Sequence, residues 1–350
     1  MDITEIDGNF TVPVPKTGDT HFFDVSAPPF RVYGLLRDDA GYFRMPRTAA
    51  SAVNPGVKEL NAHTAGGRVR FKTDADRICL RVQLRSVAVM PHFALTGSAG
   101  FDLYADNVFC GAFFPPVNPK KGYKGELRLP GGEKQLREIT VHFPLYAGVV
   151  KLELGFPAGS RIAAPRPYAI EKPAVYYGSS ITQGGCASRP GNAYQNILSR
   201  ILDCDHVNLG FSGSAKGEQT MAAYIAGLTM SAFILDYDHN APDTDHLQAT
   251  HAPFFRTVRK ANPTLPVIML SRPQPNPCED DIKRRAIIRA TFAAARAAGD
   301  DNVYFIDGET LLRRFGGDSG TVDTCHPNDL GFFCMAEGLR PVLAQAILQK

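Results

Sequence analysis

The chain has 350 residues, 44% of them hydrophobic, with 38 basic against 35 acidic side chains and a net charge of +3. That near-balance gives no reason to expect a nucleic-acid or anionic-membrane surface. No run approaches 18 consecutive apolar residues, so no membrane-spanning helix is expected.

The chain starts MDITEIDGNF, with acids where a secretory signal would carry Lys or Arg and no apolar stretch after them. The expectation is a cytoplasmic protein, or a secreted or periplasmic one if a leader has been trimmed. Seven cysteines without a CxxC pair suggest neither a zinc knuckle nor a thioredoxin-type site. Spare or buried thiols in a reducing compartment fit better. Tryptophan is absent, which weakens a carbohydrate role without excluding it.

Residues 1–170 read as β. In 78–85, Ile78, Leu80, Val82 and Leu84 alternate with Cys79, Arg81, Gln83 and Arg85, the period of a half-buried strand. Similar runs fall at 30–36, 68–73, 101–109 and 138–156, separated by turn clusters such as NPKKG (118–122) and LPGGEK (129–134). Helical spacing is scarce beyond a short turn around 55–62. An antiparallel, jelly-roll-like β-sandwich is expected.

The segment PAGSRIAAPRPYAIEKP (157–173) is rich in Pro and Ala and reads as a linker or a closing segment. From 171 to 350 short apolar runs at 174–177, 206–209, 232–236, 266–270 and 303–306 alternate with helical stretches such as 192–202 and 281–298. This rhythm predicts a three-layer, flavodoxin-like α/β domain with a parallel sheet. Active sites in such sheets lie at the carboxyl ends of the strands.

The first of these strands ends in Gly178-Ser179-Ser180-Ile181-Thr182. A serine held there for chemistry needs a base, a carboxylate to orient the base, and donors for an oxyanion. Most of the nine histidines have a bland reading: His21, His63, His92 and His142 lie in the β half, His206 opens a strand, and His246 and His251 sit on a helix. His326 stands in the loop DTCHPNDLGF, three residues after Asp323 and just before a long C-terminal helix.

Taken together these segments resemble the SGNH (GDSL-like) hydrolase superfamily. Gly178–Thr182 is similar to its first block, with Ser180 as nucleophile and Ser179 where the family usually has Asp. NLGFSG (208–213) resembles the second block, DYDHN (236–240) stands at the third, and Asp323 and His326 match the fifth. The likeness is closest to a branch with a sandwich ahead of the catalytic domain and a Gly-x-Asp-Leu-Tyr motif, present here as Gly100–Tyr104. In that branch an apolar pair precedes the third-block Asn; here Asp238–His239 replaces it.

The resemblance implies acyl transfer through a covalent ester. His326 would act as base to Ser180 and Asp323 would fix the imidazole. The Ser180 and Gly213 N–H groups and the Asn240 amide would form the oxyanion hole. No metal or organic cofactor is needed. Arg189 is a candidate for binding a polar or anionic substrate group at the pocket rim, or else it pairs with a structural carboxylate. Cys186 and Cys325 read as small buried hydrophobes rather than second nucleophiles. Asp102 and Tyr104 read as stitching the sandwich or the domain interface. The acidic run DYDHNAPDTDH matches no EF-hand spacing and reads as a solvated loop.

The expected activity is a serine esterase removing short, chiefly acetyl, groups from a polar alcohol such as a carbohydrate; the alternative is an acyltransferase using an alcohol or amine acceptor. A third reading makes the sandwich a glycan- or protein-binding module. The expected partner is a small-molecule or glycan ester, with no nucleic acid and no membrane. The oligomeric state is not legible.

Overall fold

A computed structural model describes the chain apart from residues 13–17, 120, 131–134, 314–316 and 349–350. Lys120 and 131–134, parts of two expected turn clusters, therefore lie outside the described residues.

The first half carries the strands β1 (Thr20–Asp24), β2 (Arg31–Tyr33), β3 (Leu36–Asp38), β4 (Gly41–Phe43), β5 (Arg68–Thr73), β6 (Arg77–Val87), β7 (Phe101–Ala105), β8 (Val108–Phe113), β9 (Gly122–Arg128), β10 (Arg137–His142), β11 (Ala147–Pro157) and β12 (Ile162–Ala163). They form two larger antiparallel sheets, ordered β1-β11-β6-β9 and β12-β5-β10-β7-β8, with β2 also on β5, and a separate hairpin of β3 and β4. Residues one apart along a strand face opposite ways. Thus Ile78, Leu80 and Val82 of one sheet meet Phe101, Leu103, Ile139 and Val141 of the other in a single buried cluster.

Two expected long strands are broken. The run 101–109 turns back at Asp106 and Asn107, whose φ angles of 50° and 65° suit the tight turn of a two-residue hairpin. The run 138–156 divides into β10 and β11 around Pro144, a residue with no N–H to give to a ladder. The expected short turn near 55–62 is the helix Pro55–Leu60, and a second helix, Arg47–Val53, precedes it. Residues 157–169 serve as the closing segment: β12 adds an edge to the sandwich.

The second half holds β13 (Ile170–Gly178), β14 (Cys204–Gly210), β15 (Ala232–Asp236), β16 (Val267–Leu270) and β17 (Val303–Ile306), all parallel, in the order β14-β13-β15-β16-β17. That is the flavodoxin-like order, in which the strand order reverses between β13 and β15. Helices Tyr194–Leu202 and Asp329–Leu348 cover one face, packing on Tyr176, Ile234 and Ile268. Helices Gln219–Ala226, Thr244–Ala261 and Glu279–Ala297 cover the other, packing on Tyr177, Phe233 and Met269. The last helix, Asp329–Leu348, is long and apolar enough to cross a bilayer by length and composition. Here its Phe332, Met335, Leu339 and Leu343 are fully buried against the sheet.

Neither face stops at the domain boundary. Ala65, Phe93, Leu145 and Tyr146 of the first half belong to one core cluster of the sheet, and Met45, Ala50 and Val57 to the other. The loops and short helices of the sandwich therefore close the α/β core.

Candidate active site

β13 ends at Gly178, where a Cβ would stand 2.1 Å from the Thr182 hydroxyl and 2.2 Å from the Asp236 carbonyl oxygen, so only glycine fits. The chain then turns into the one-turn helix Ser180–Gln183. Ser179 caps it, accepting the Ile181 N–H at 3.1 Å. A hydroxyl thus does the capping at the position where the related block usually has Asp. Ser180 sits at the helix start and is only 9% exposed.

The Ser180 Oγ lies 2.9 Å from His326 Nε2, and His326 Nδ1 lies 2.7 Å from Asp323 Oδ2. The structure thus brings together three side chains from the two ends of the α/β half. With the proton on Nδ1 donated to Asp323, Nε2 is left to accept from the serine hydroxyl. The other Asp323 oxygen accepts the backbone N–H groups of His326 at 2.7 Å and Cys325 at 3.1 Å. Partial burial works against ionisation of Asp323, but these donors and the imidazole hold its carboxyl below the usual range. Thr324, inside this turn, takes φ 67°, a conformation that costs a β-branched residue energy.

The loop is fastened to the nucleophile segment. Cys186 N–H donates to the Pro327 carbonyl at 3.0 Å, and Ser188 N–H donates to Asp329 at 2.8 Å. Cys186 is buried, and burial pushes its thiol up to about 12, which suits a hydrophobic filler and not a nucleophile.

Beside the serine lies the loop Gly210–Gly213. Gly213 has φ 64°, which favours glycine. Among the described residues, the backbone N–H groups of Ser180 and Gly213 have no acceptor. The Asn240 amide donates to the Phe211 carbonyl at 2.9 Å, engaging one of its two hydrogens and tying it to the same loop.

Arg189 takes the second of the two roles open to it. Its guanidinium bonds Asp102 Oδ2 at 2.9 Å and the Tyr104 hydroxyl, and lies 3.8 Å over the Phe109 ring. Asp102 is fully buried; its other oxygen meets His142 Nδ1 at 2.8 Å, and it also accepts the Gly191 N–H at 2.8 Å. Burial alone would raise the Asp102 carboxyl, but His142 and Arg189 hold it below the usual range. The Gly-x-Asp-Leu-Tyr motif thus clamps the sandwich onto the segment that follows the nucleophile.

The acidic run is not a solvated loop throughout. Asp236 and Asp238 are each 1% exposed. Asp236 accepts from Thr182 Oγ1 at 2.9 Å, and Asp238 accepts the Arg272 N–H at 3.1 Å. Burial raises both carboxyls. Asp243 is exposed and caps the helix Thr244–Ala261.

Several neighbours of the site carry no sequence signal. The Tyr146 hydroxyl donates to the Ser180 carbonyl at 3.3 Å. Gln183 links the nucleophile turn to the sandwich through Leu145 O at 3.2 Å and to the Gly210–Gly213 loop through the Ser212 N–H at 3.1 Å. His92 Nε2 stands 3.8 Å from Asp323 Oδ2, with its ring 5.9 Å from that of His326. His92, Cys186 and His326 are a group of metal-ligating side chains whose donor atoms fall within 4.8 Å of one another.

A three-layer α/β unit with a sandwich ahead of it defines the class: a carboxylic ester hydrolase of the SGNH type. The chain belongs to the GDSL-like lipase/acylhydrolase family, whose model matches residues 171–344. Residues 20–162 match the N-terminal GxDLY domain of SGNH-hydrolase-type esterases. A protein assigned as a GDSL-like lipase from Bacteroides ovatus is 28% identical, with a TM-score of 0.84 over 95% of this chain and 99% of that one. The salicylyl-acyltransferase SsfX3 of a tetracycline biosynthetic pathway shares the fold at 20% identity and a TM-score of 0.76, over 93% and 97% of the two chains. A family two carbohydrate esterase from Clostridium thermocellum, solved with cellohexaose, shares it at 15% identity and 0.59, over 81% and 93%. No curated protein matches the chain.

Proposed function

We propose that this hydrolase is a serine esterase that removes short acyl groups, acetyl foremost, from a polar alcohol such as a carbohydrate. The observation that carries the reading is the continuous path from Ser180 Oγ through His326 to Asp323, at 2.9 and 2.7 Å. In this reading His326 takes the serine proton as Ser180 attacks the ester carbonyl. Asp323 keeps the imidazole in the right tautomer and stabilises the imidazolium. The tetrahedral oxyanion takes the N–H groups of Ser180 and Gly213, with Asn240 alongside. His326 then protonates the leaving alcohol, and water, deprotonated by the same imidazole, releases the acid.

The carbohydrate esterase among the structural neighbours supports a sugar ester as substrate. The acyltransferase neighbour favours a second reading, in which an alcohol or amine acceptor replaces water on the same acyl-enzyme. A panel of p-nitrophenyl esters of rising chain length, run beside acetylated sugars, tests the first reading. Turnover confined to short chains, and lower by about 10⁴–10⁶ in Ser180→Ala, is expected. Long-chain preference, or turnover surviving in Ser180→Ala, would refute it. Added alcohols that divert the acetyl group into a new ester faster than water takes it would select the second.

A further inference from the structure

Arg44, just after β4 in the sandwich half, is 2% exposed and has no carboxylate within ion-pair reach among the described residues. Its guanidinium donates instead to two backbone carbonyls, those of Gly210 and Leu60, and lies 4.3 Å over the Phe211 ring. Its Nε has no partner among the described residues. Burial pushes it down to about 9, so it remains a cation at neutral pH.

A buried cation without a counter-anion is costly, and carbonyl dipoles offset only part of that cost. What it faces suggests why it is kept. Gly210 and Phe211 open the loop that ends in Gly213, whose N–H has no acceptor among the described residues. The charge is felt by His63, whose imidazole is pushed down to about 4 by burial first and Arg44 second. It is also felt at Tyr146, whose hydroxyl touches Ser180.

We propose that Arg44 is a positioning residue of the oxyanion site: it pins the Gly210–Gly213 loop and leaves an uncompensated positive charge behind it, matched only when the oxyanion forms. The inference rests on the Ser180 acyl-enzyme reading and deepens it. A field that meets its opposite charge only in the tetrahedral state lowers the barrier without tightening substrate binding. The sandwich is then part of the catalytic apparatus and not a module attached to it.

The test compares Arg44→Met, which removes the charge at similar length, with Arg44→Lys, which keeps it. Short-chain ester turnover is measured with affinity for a small alkyl boronic acid, which forms an anionic tetrahedral adduct on serine. In Arg44→Met, kcat is expected to fall on the order of 10–100-fold with KM unchanged, and boronate affinity by a similar factor. Arg44→Lys should recover most of both. The His63 imidazole pKa, followed by NMR, should rise in Arg44→Met.

If Arg44→Met does not fold, His63→Glu and His63→Gln decide. The glutamate hands the guanidinium a counter-anion and should turn over at least tenfold more slowly than the glutamine control. The inference is overturned if folded Arg44→Met keeps kcat within threefold of wild type, if loss appears in KM alone, if Arg44→Lys falls as far as Arg44→Met, or if the two His63 variants are equal. Ser180→Ala separates the two levels. If it retains turnover and boronate binding, the acyl-enzyme reading fails; if it is inactive while Arg44→Met behaves as wild type, only the role of Arg44 fails.

Discussion

In the α/β half, the candidate site residues lie at one end of a parallel sheet: Ser180 after β13, Gly213 after β14, Asn240 after β15, and Asp323 and His326 before the last helix. In the sandwich half, Arg44, His63, His92 and Tyr146 reach the same place from loops that carry no motif. In the proposed reaction the first set touches substrate. The second set holds the first through Gln183, Ser180 O and Gly210 O, with His92 standing beside Asp323. Reactive groups and their support thus come from different halves of the chain, and a variant can strike one without the other.

The sharpest way to test that division is Asp323→Asn. It leaves the turn able to form but offers the imidazole the wrong partner, so kcat should fall by about 10⁴ with an unchanged melting temperature. A large loss of stability instead would place Asp323 among the supporting residues. On the sandwich side, Asp102→Asn removes the anion that holds Arg189 and His142. Stability should fall by about 3–5 kcal/mol in chemical denaturation, while kcat of the folded fraction changes little. Asn240→Ala should lower kcat by about 10²–10³ if its amide serves the oxyanion, and by far less if it only ties Phe211.

Smaller effects come from protons. His63 and His251 are buried and His239 half-buried, and burial pushes their imidazoles down to about 4, 3 and 3 for His63, His239 and His251. The unfolded chain binds those protons near pH 6.5, and the folded one only well below. The stability these groups contribute is complete above about pH 6.5 and is lost progressively as pH falls toward 4. Melting temperature should drop over that range, and His251→Gln, in a helix of the α/β half, should flatten the slope without touching kcat. Last, His92→Ala should lower kcat/KM less than about tenfold, because the histidine is partly exposed and its field on Asp323 is screened.

The same division decides what was legible in the sequence. β5 matches its sequence limits because its alternation is unbroken, and the contact of Ser180, His326 and Asp323 is foreseeable because they sit in short segments whose spacing carries the signal. The hairpin at Asp106–Asn107 was read through as one strand because both arms alternate in phase. The short turn around 55–62 is legible as the helix Pro55–Leu60, but the helix Arg47–Val53 is not, because it is under two turns and its apolar Ala50 faces the other domain rather than a stripe of its own. Asp236 and Asp238 were read as solvated because their burial depends on Thr182 and Arg272, distant in the chain. Arg44 and Tyr146 gave no signal because an isolated Arg or Tyr looks alike on a surface and under an oxyanion loop.

Ala65, Phe93, Leu145 and Tyr146 fill one side of the parallel sheet's packing, and Met45, Ala50 and Val57 the other. Cutting the gene near residue 165 would strip both flanks at once and leave two raw apolar wounds where a seam used to be. The two halves are thus inseparable in practice, and what the front one does can be learned from single side-chain changes in the intact chain, not from its excised pieces.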